Sequence, residues 1–454
     1  MITDMTKGSP LKHILLFSVP LLIGNIFQQL YNIADIVIVG RTLGVEALAA
    51  VGAVSPLFFL VMFVVVGLTN GFAVVTGQKF GAKDFEGIRR SVVVSILLGT
   101  IFTLLFTIIA AVLMKPLLLW MNVPSEIFHN AYWYMAIVNA GLIVCCYNLL
   151  ASIIRALGDS KTPLYFLIFA SILNIFLALL FIIKFHMGVP GSAIAVVLSQ
   201  AVSALMCVWY VKKKFPVLHL KKKDWIFKKE ERKQDIDFAV EHLKVGIPMG
   251  IQFSILGLGV LIIQSVCNTF GPNVIAAFTA ALRIEQIATL PMISFGIALA
   301  AYVAQNYGAK KFSRIRAGVS KTSLINIGLS LFMAFIMHMW GSDIVRIFIG
   351  DANEEIIKIA RSYLLISTMF YFFLGQIFIF RNALQGMGQT LIPLSASTAE
   401  LLVRSYAAVY LAVKYSYFGI FYAGPIAWVT ASLVVAIGYF SRIRKIMKQA
   451  YKHV

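Results

Sequence analysis

Twelve uninterrupted apolar runs, each long enough to cross a bilayer as a helix, leave this chain few folds to choose from. About 30 Å of hydrocarbon takes roughly 20 apolar residues at helical rise. The runs fall near residues 13–39, 47–76, 91–114, 129–157, 161–185, 189–211, 243–269, 274–304, 317–340, 354–383, 389–413 and 419–441. Hydrophobic residues are 60% of the 454 and charged residues only 13%, an excess beyond what one soluble core buries. The first run is longer than a signal peptide and has no small-residue cleavage pattern, so it reads as a retained span. The expected fold class is all-α: a polytopic membrane protein of twelve transmembrane helices.

The formal net charge of +20 would suit nucleic acid if it were spread over one face. Instead, Lys and Arg collect on alternate connections. With the amino terminus inside, cytoplasmic segments hold 30 of the 39 basic residues. External loops and their flanks hold seven: Arg41, Lys115, Lys184, Arg346, Lys358, Arg361 and Lys414. Arg283 and Arg404 fall inside spans. This asymmetry places both termini in the cytoplasm and excludes nucleic acid as the expected partner. The longest connection, "KKKFPVLHLKKKDWIFKKEERK", mixes Lys with Trp225, Phe227 and Leu220 and reads as a linker lying on anionic headgroups.

Cys145, Cys146, Cys207 and Cys267 all lie in spans, where a free thiol behaves as a small hydrophobe, so no disulfide or metal framework is expected. The seven histidines lack ligand spacing, and no G-x-x-x-x-G-K-[ST] loop is present to cradle a nucleoside triphosphate. No nucleophile, base and orienting group gather in a short motif, so an enzyme is not expected. No cofactor is implied either.

The chain is written twice. "QKFGAKDFEGIRR" from Gln78 and "QNYGAKKFSRIRA" from Gln305 agree at seven of thirteen positions at an offset of 227. Pro20 answers Pro248, "RALGDSKTPL" answers "LQGMGQTLIPL", and "GVPGSAIA" answers "GPIAW". Six spans return the chain to its starting side, so the repeat is parallel. The expected domains are residues 1–211, a six-helix bundle; 212–242, a basic cytoplasmic linker; and 243–454, a second six-helix bundle. Two such bundles can rock to open a seam on either face. Pro20, Pro56, Pro248 and Pro291 lie in spans, where each removes a helix hydrogen bond and can bend the helix. Gly67 with Gly71, and Gly246 with Gly250, have the spacing that lets helices approach closely.

An ionisable group at mid-bilayer costs roughly 3 kcal/mol or more, so each one invites a functional reading. Asp35 sits in "IADIV" with no basic residue one turn away on its helix. Low dielectric favours its neutral form, which would let it take up and release a proton near neutral pH. A buried acid hydrogen-bonded to a neighbouring helix is the structural alternative. Glu400 and Arg404 are spaced i, i+4 and are expected to pair, either as a structural ion pair or within a cavity of the second bundle. Arg283 and Glu285 point to different sides of their helix and need partners elsewhere. Asn70, Asn174, Gln252, Gln286 and Gln376 suit a wet cavity or interhelical bonding equally.

"ADIVIVGRTLGVEALAAVGAVSPL", "GLTNGFAVVTGQKFGAKD", "RALGDSKTPL", "AALRIEQIATLPMISFG" with "AQNYGAKK", and "AELLVRSYAAVYLA" together resemble the multidrug and toxic compound extrusion family of bacterial transporters. The resemblance runs over essentially the whole chain. It implies a V-shaped, twelve-helix carrier of the inner membrane, acting as a monomer, that expels small organic, often cationic, compounds in exchange for H⁺ or Na⁺. Asp35 matches the family's coupling acid in the first span. Asn174 matches the first position of Asn-x-x-x-Asp, but Ala178 stands where relatives have the acid. Val196 stands where an Ala-Thr pair would place a hydroxyl. A hard cation wants several oxygen ligands, so these losses favour proton over sodium coupling. Some relatives place an acid near Gln252, so a second cation site is doubtful here. The remaining polar residues, Asn70, Gln252, Arg283, Glu285, Gln376, Glu400 and Arg404, are candidates for the substrate cavity. A lipid-linked precursor flippase would need several basic residues facing the seam, and the spans offer only Arg283 and Arg404. A receptor or scaffold would leave the intramembrane acid unexplained.

Overall fold

The computed structural model describes residues 3–121, 123–141, 143–220, 222–225, 232–350 and 353–451. The described residues form fourteen α-helices in chain order: α1 Pro10–Leu43, α2 Val45–Gly81, α3 Phe85–Trp120, α4 Ser125–Ala140, α5 Ile143–Ala156, α6 Lys161–Leu179, α7 Gly188–Lys214, α8 Arg232–Cys267, α9 Pro272–Gly308, α10 Phe312–Ile349, α11 Glu354–Met369, α12 Tyr371–Gly386, α13 Leu391–Tyr415 and α14 Tyr417–Tyr451. Nine spans among the described residues are apolar and long enough to cross a bilayer, ten if α11 and α12 are counted as one. α13 is long enough at 25 residues, but Glu400, Arg404 and several hydroxyls dilute its apolar character. The fourth run, expected as one helix, is divided into α4 and α5.

Two runs expected to be continuous are thus broken. The run over 354–383 bends by 52° between α11 and α12, where the Phe370 amide turns back to the Ser367 carbonyl instead of continuing the ladder. The run over 129–157 breaks after Ala140. Gly141, at its C-terminal end, lies so close to α7 that an added Cβ would meet the Val197 side chain at 2.3 Å.

The repeat appears in the turns. Gly44 (φ 86°) before α2 and Gly271 (φ 88°) before α9 share a left-handed conformation at the same offset as the sequence repeat. Lys83 (φ 58°) and Lys310 (φ 56°) close the helices that follow. In both copies the Gly-Ala-Lys turn puts its third residue in the region that L side chains seldom adopt.

The chain divides into two compact units: Met1–Asp4 with Ile23–Gly250, and Met5–Leu22 with Ile251–Val454. Both divisions fall inside helices, α1 and α8, three residues after Pro20 and Pro248. The first unit is cored by Leu68, Phe72, Ile88, Ile153, Ile154 and Phe215. In the second unit one cluster gathers Phe278, Tyr363, Leu364, Tyr371 and Phe421. Another joins Met5, Ile14 and Phe17 to Tyr302, Leu384, Tyr439 and Ile443.

Within the first unit α2 crosses α8 with almost no space between backbones. A Cβ on Gly67 would lie 2.6 Å from the Gly250 Cα, and one on Gly71 would lie 2.5 Å from the Gly246 Cα. The two glycine pairs read from spacing therefore face each other, the close approach that such spacing permits. The start of the basic connection also folds onto this unit: Phe215 and Leu218 are buried in its core, and Trp225 is exposed. Residues 221 and 226–231, most of the rest of the expected headgroup-binding stretch, lie outside the described residues. Cys207 and Cys267 are buried free thiols. The side chains of Cys145 and Cys146 lie outside the described set.

Candidate functional site

Asp35 projects from α1 in the first unit, half-buried. The Ser192 hydroxyl, on the first turn of α7, donates to its Oδ1 at 3.3 Å. Tyr31, one turn earlier on α1, and Tyr134 of α4 lie close enough to feel its charge. Among the described residues no basic side chain forms an ion pair with Asp35. The absence of a basic neighbour, read from α1 alone, therefore extends to the surrounding helices.

Asn174 on α6 is 1% exposed, and neither its carbonyl oxygen nor its amide nitrogen has a hydrogen-bond partner among the described residues. An unsatisfied buried amide costs about 1–3 kcal/mol. Ala178, where relatives carry the acid, is fully buried, and Val196 nearly so. The sequence reading looked for a hydroxyl at Val196 and missed Ser192, one helical turn earlier on the same face. The signal was the small polar residue in "GSAIA".

Asn70 belongs to a separate network. The Ser152 hydroxyl donates to Asn70 Oδ1 at 2.9 Å, and Arg155 Nη2 donates to the Ser152 hydroxyl at 2.8 Å. Arg155 lies in the last turn of α5, within the run expected over 129–157, with its guanidinium turned to this network. A cavity of about 360 Å³ lies among α2, α3, α5 and α7, lined by Leu68, Phe72, Phe102, Thr103 and Leu149. None of the candidate polar residues lines it.

The second unit gathers the other candidates. Glu400 and Arg404 form the expected i, i+4 ion pair on α13. Their side chains are 7% and 12% exposed, so the pair is held largely out of solvent. Gly259 of α8 leaves room for this guanidinium, whose Nη1 would stand 3.4 Å from a Cβ there. Glu285 on α9 accepts a 3.0 Å hydrogen bond from the Tyr363 hydroxyl of α11 and lies within electrostatic range of Arg404. Arg283, two residues earlier, is exposed and reaches its own helix, donating to Gln286 Oε1 at 3.3 Å. The structure therefore brings Glu285, Glu400 and Arg404 together and leaves Arg283 outside.

The buried amides mostly tie helix to helix. Gln385 Nε2 donates to Gln252 Oε1 at 2.8 Å, and the Ser323 hydroxyl donates to Gln376 Oε1 at 2.9 Å. Among the described residues Gln252 Nε2 and Gln376 Nε2 have no hydrogen-bond partner. Arg381, within the run expected over 354–383, is 7% exposed on α12, with its guanidinium 5.0 Å over the Phe378 ring and Glu400 within electrostatic range. Long basic side chains near helix ends look like flanks in a sequence and turn inward only in three dimensions.

Among the described residues no cluster of His, Cys, Asp and Glu is arranged to hold a metal ion. Set against known proteins, residues 20–180 and 248–411 match the family model MatE. The chain is 30% identical over 393 residues to the probable multidrug resistance protein YpnP of Bacillus subtilis (strain 168), covering 86% of this chain and 85% of that protein. It is 26% identical over 448 residues to the probable multidrug resistance protein YoeA of the same strain, covering 97% and 95%. It is similar to a crystal structure of a MATE protein in a bent conformation, with TM-score 0.90 and 25% identity over 98% of each chain. An outward-facing multidrug resistance MATE transporter gives TM-score 0.88 at the same identity and coverage.

Proposed function

The chain belongs to the MatE family of multidrug efflux transporters, and from that premise we propose that it exports small organic cations in exchange for protons, with Asp35 as the coupling group. One observation carries the reading. Asp35 is a carboxylate in a membrane span with no ion-pair partner among the described residues and one hydroxyl at 3.3 Å. A carboxylate locked to Arg or Lys cannot change its charge through a cycle, whereas one held by a hydroxyl can. Ser192 can donate to the carboxylate and can accept from the carboxylic acid, so the same contact serves both states. Asp35 would thus take a proton from one side of the membrane and give it up on the other, and substrate exit is coupled to that exchange.

In the second unit, Glu400 is committed to Arg404, and Glu285 is the carboxylate left for a cationic substrate. Its Tyr363 partner is neutral, so an organic ammonium reaching Glu285 need not first displace a salt bridge. The basic segments face the cytoplasm in this reading, with the protein in the plasma membrane, both termini cytoplasmic and the transporter acting as a monomer.

The test is transport in inverted membrane vesicles with ethidium as the probe. An imposed pH gradient should drive accumulation in the wild type and fail to do so in Asp35→Asn. Normal transport by the variant would remove Asp35 from the mechanism. Sodium coupling is the second reading, favoured by the orphaned Asn174 carbonyl, which is an oxygen ligand without a proton donor. Transport that stops when choline replaces Na⁺, at constant pH gradient, would select it.

A further inference from the structure

The repeated stretches at Gln78 and Gln305 take no part in the chemistry described above, yet both copies do the same thing. The second copy grips the chain just ahead of α1. Gln305 Oε1 accepts from the Met5 amide at 2.9 Å, Asn306 Nδ2 donates to the Met5 carbonyl at 3.2 Å, and Lys311 Nζ donates to the Thr6 carbonyl at 2.9 Å. Arg314 does most. Its Nη1 donates to the Gly8 carbonyl at 2.8 Å, and its Nη2 donates to the Met5 and Lys7 carbonyls at 3.0 and 3.1 Å. Its Nε donates to Asn306 Oδ1 at 3.0 Å, bracing the neighbouring grip.

The first copy grips the chain leading into α8. Arg90 pairs with Asp235, and Arg89 Nε lies 3.5 Å from an Asp224 carboxylate oxygen. The Lys79 ammonium stands 5.0 Å over the Phe238 ring. The Ser91 hydroxyl and His242 Nε2 are 2.8 Å apart, and the same hydroxyl is 2.8 Å from that of Thr76. Lys7 and Asp235, one gripped residue from each end, are separated by the same interval as Pro20 and Pro248. The bonding partners differ, backbone carbonyls in one copy and mainly side chains in the other. The act is shared, although the gripping arginines fall at different places in the two copies, Arg314 aligning with Gly87 and Arg90 with Ala317.

In both cases the gripped end lies in a different unit from the remainder of its helix. α1 belongs to the second unit as far as Leu22 and to the first from Ile23, while α8 belongs to the first as far as Gly250 and to the second from Ile251. We propose that the two motif copies are reciprocal latches, each holding the leading end of the other repeat's first helix, with Arg314 and Arg90 as the positioning residues. Any displacement of the units is then absorbed within α1 and α8 or pulls on the latches. The latches set how far these helices travel in the transport cycle.

The geometry makes a sharp demand on Arg314. A lysine keeps the charge, but its single ammonium cannot reach the carbonyls of Met5, Gly8 and Lys7 from one planar fork. Hydrogen exchange followed by mass spectrometry on the full-length protein in nanodiscs tests the grip. Arg314→Lys should raise exchange in residues 3–9 by about tenfold, the effect of losing one or two net hydrogen bonds, and leave residues 235–242 unchanged. Arg90→Met, which removes the charge that meets Asp235, should do the converse. Exchange over the buried Ile377–Leu384 turns reports that both variants are folded. The same variants should slow ethidium transport in vesicles without changing its dependence on the pH gradient. Unchanged exchange at residues 3–9 in Arg314→Lys would refute the latch. So would wild-type transport when both latches are loosened. If the wild type moves no ethidium, the export reading fails instead, and the exchange measurement still decides the latch.

Discussion

A carboxylate in hydrocarbon costs roughly 3 kcal/mol or more, and among the described residues Asp35 receives one long hydrogen bond in return. A group in that position lowers stability, so its neutral isostere should be the better packer. Asp35→Asn is expected to match or exceed the wild type in thermal unfolding while losing pH-driven transport. A drop of several degrees in Tm would mean that the acid is structural. Arg404 carries the opposite expectation. Its pairing with Glu400 is largely sealed from solvent, and removing one partner of a buried pair leaves the other charge uncompensated. Arg404→Leu should therefore cost about 3–5 kcal/mol, while Arg404→Leu with Glu400→Leu should recover most of it. A denaturant-unfolding double-mutant cycle measures the difference. The i, i+4 pair was legible because both partners lie on one helix. Ser192 and Tyr363 were not, because their acids lie on other helices and hydroxyls give no periodic signal.

Helix crossings test a different kind of legibility. The spacing of Gly67 with Gly71 and of Gly246 with Gly250 marked two close-approach surfaces, and the structure shows that each is the other's partner. Pairing was unreadable because small-residue spacing states what a face permits, not which helix meets it. Gly71→Val would drive a side chain into the Gly246 backbone, so it should lower stability by about 1–3 kcal/mol or more. Gly52 sits in the same helix with nothing within 4 Å of an added Cβ, and Gly52→Ala should raise stability by up to about 1 kcal/mol through helix propensity alone. Thermal unfolding of the two variants side by side separates crossing from propensity. The broken spans show the limit of periodic reading. The bend at Phe370 has neither Pro nor Gly in the turn to announce it, whereas Gly141 was in plain view within its run. Hydropathy reports what the bilayer tolerates, and only packing reports where the backbone must yield.

At the scale of the molecule, the repeat was legible as two halves, because duplication leaves identical residues at a constant offset. The exchange of leading ends was not, because nothing in either copy of the motif says whether it grips its own repeat or the other. That exchange has a consequence for folding. Met5, Ile14 and Phe17 are at most 4% exposed in the core of the second unit, although they lie at the far end of the sequence from its other members. A fragment beginning at residue 243 would lack all three and leave Tyr302, Leu384 and Tyr439 facing a vacant groove. It would also lose the Arg314 hydrogen bonds to Met5, Lys7 and Gly8. Expressed alone, this fragment is expected to aggregate. Co-expressed with residues 1–242, it should be recovered as a soluble, monodisperse complex in detergent, as judged by size-exclusion chromatography. A co-expressed first fragment beginning at residue 23 should fail to rescue it, although that fragment still contains nearly the whole of the first unit. Were the two rescues equal, the leading end of α1 would be dispensable to the second unit, and the core drawn around Ile14 and Phe17 would not be what holds it together.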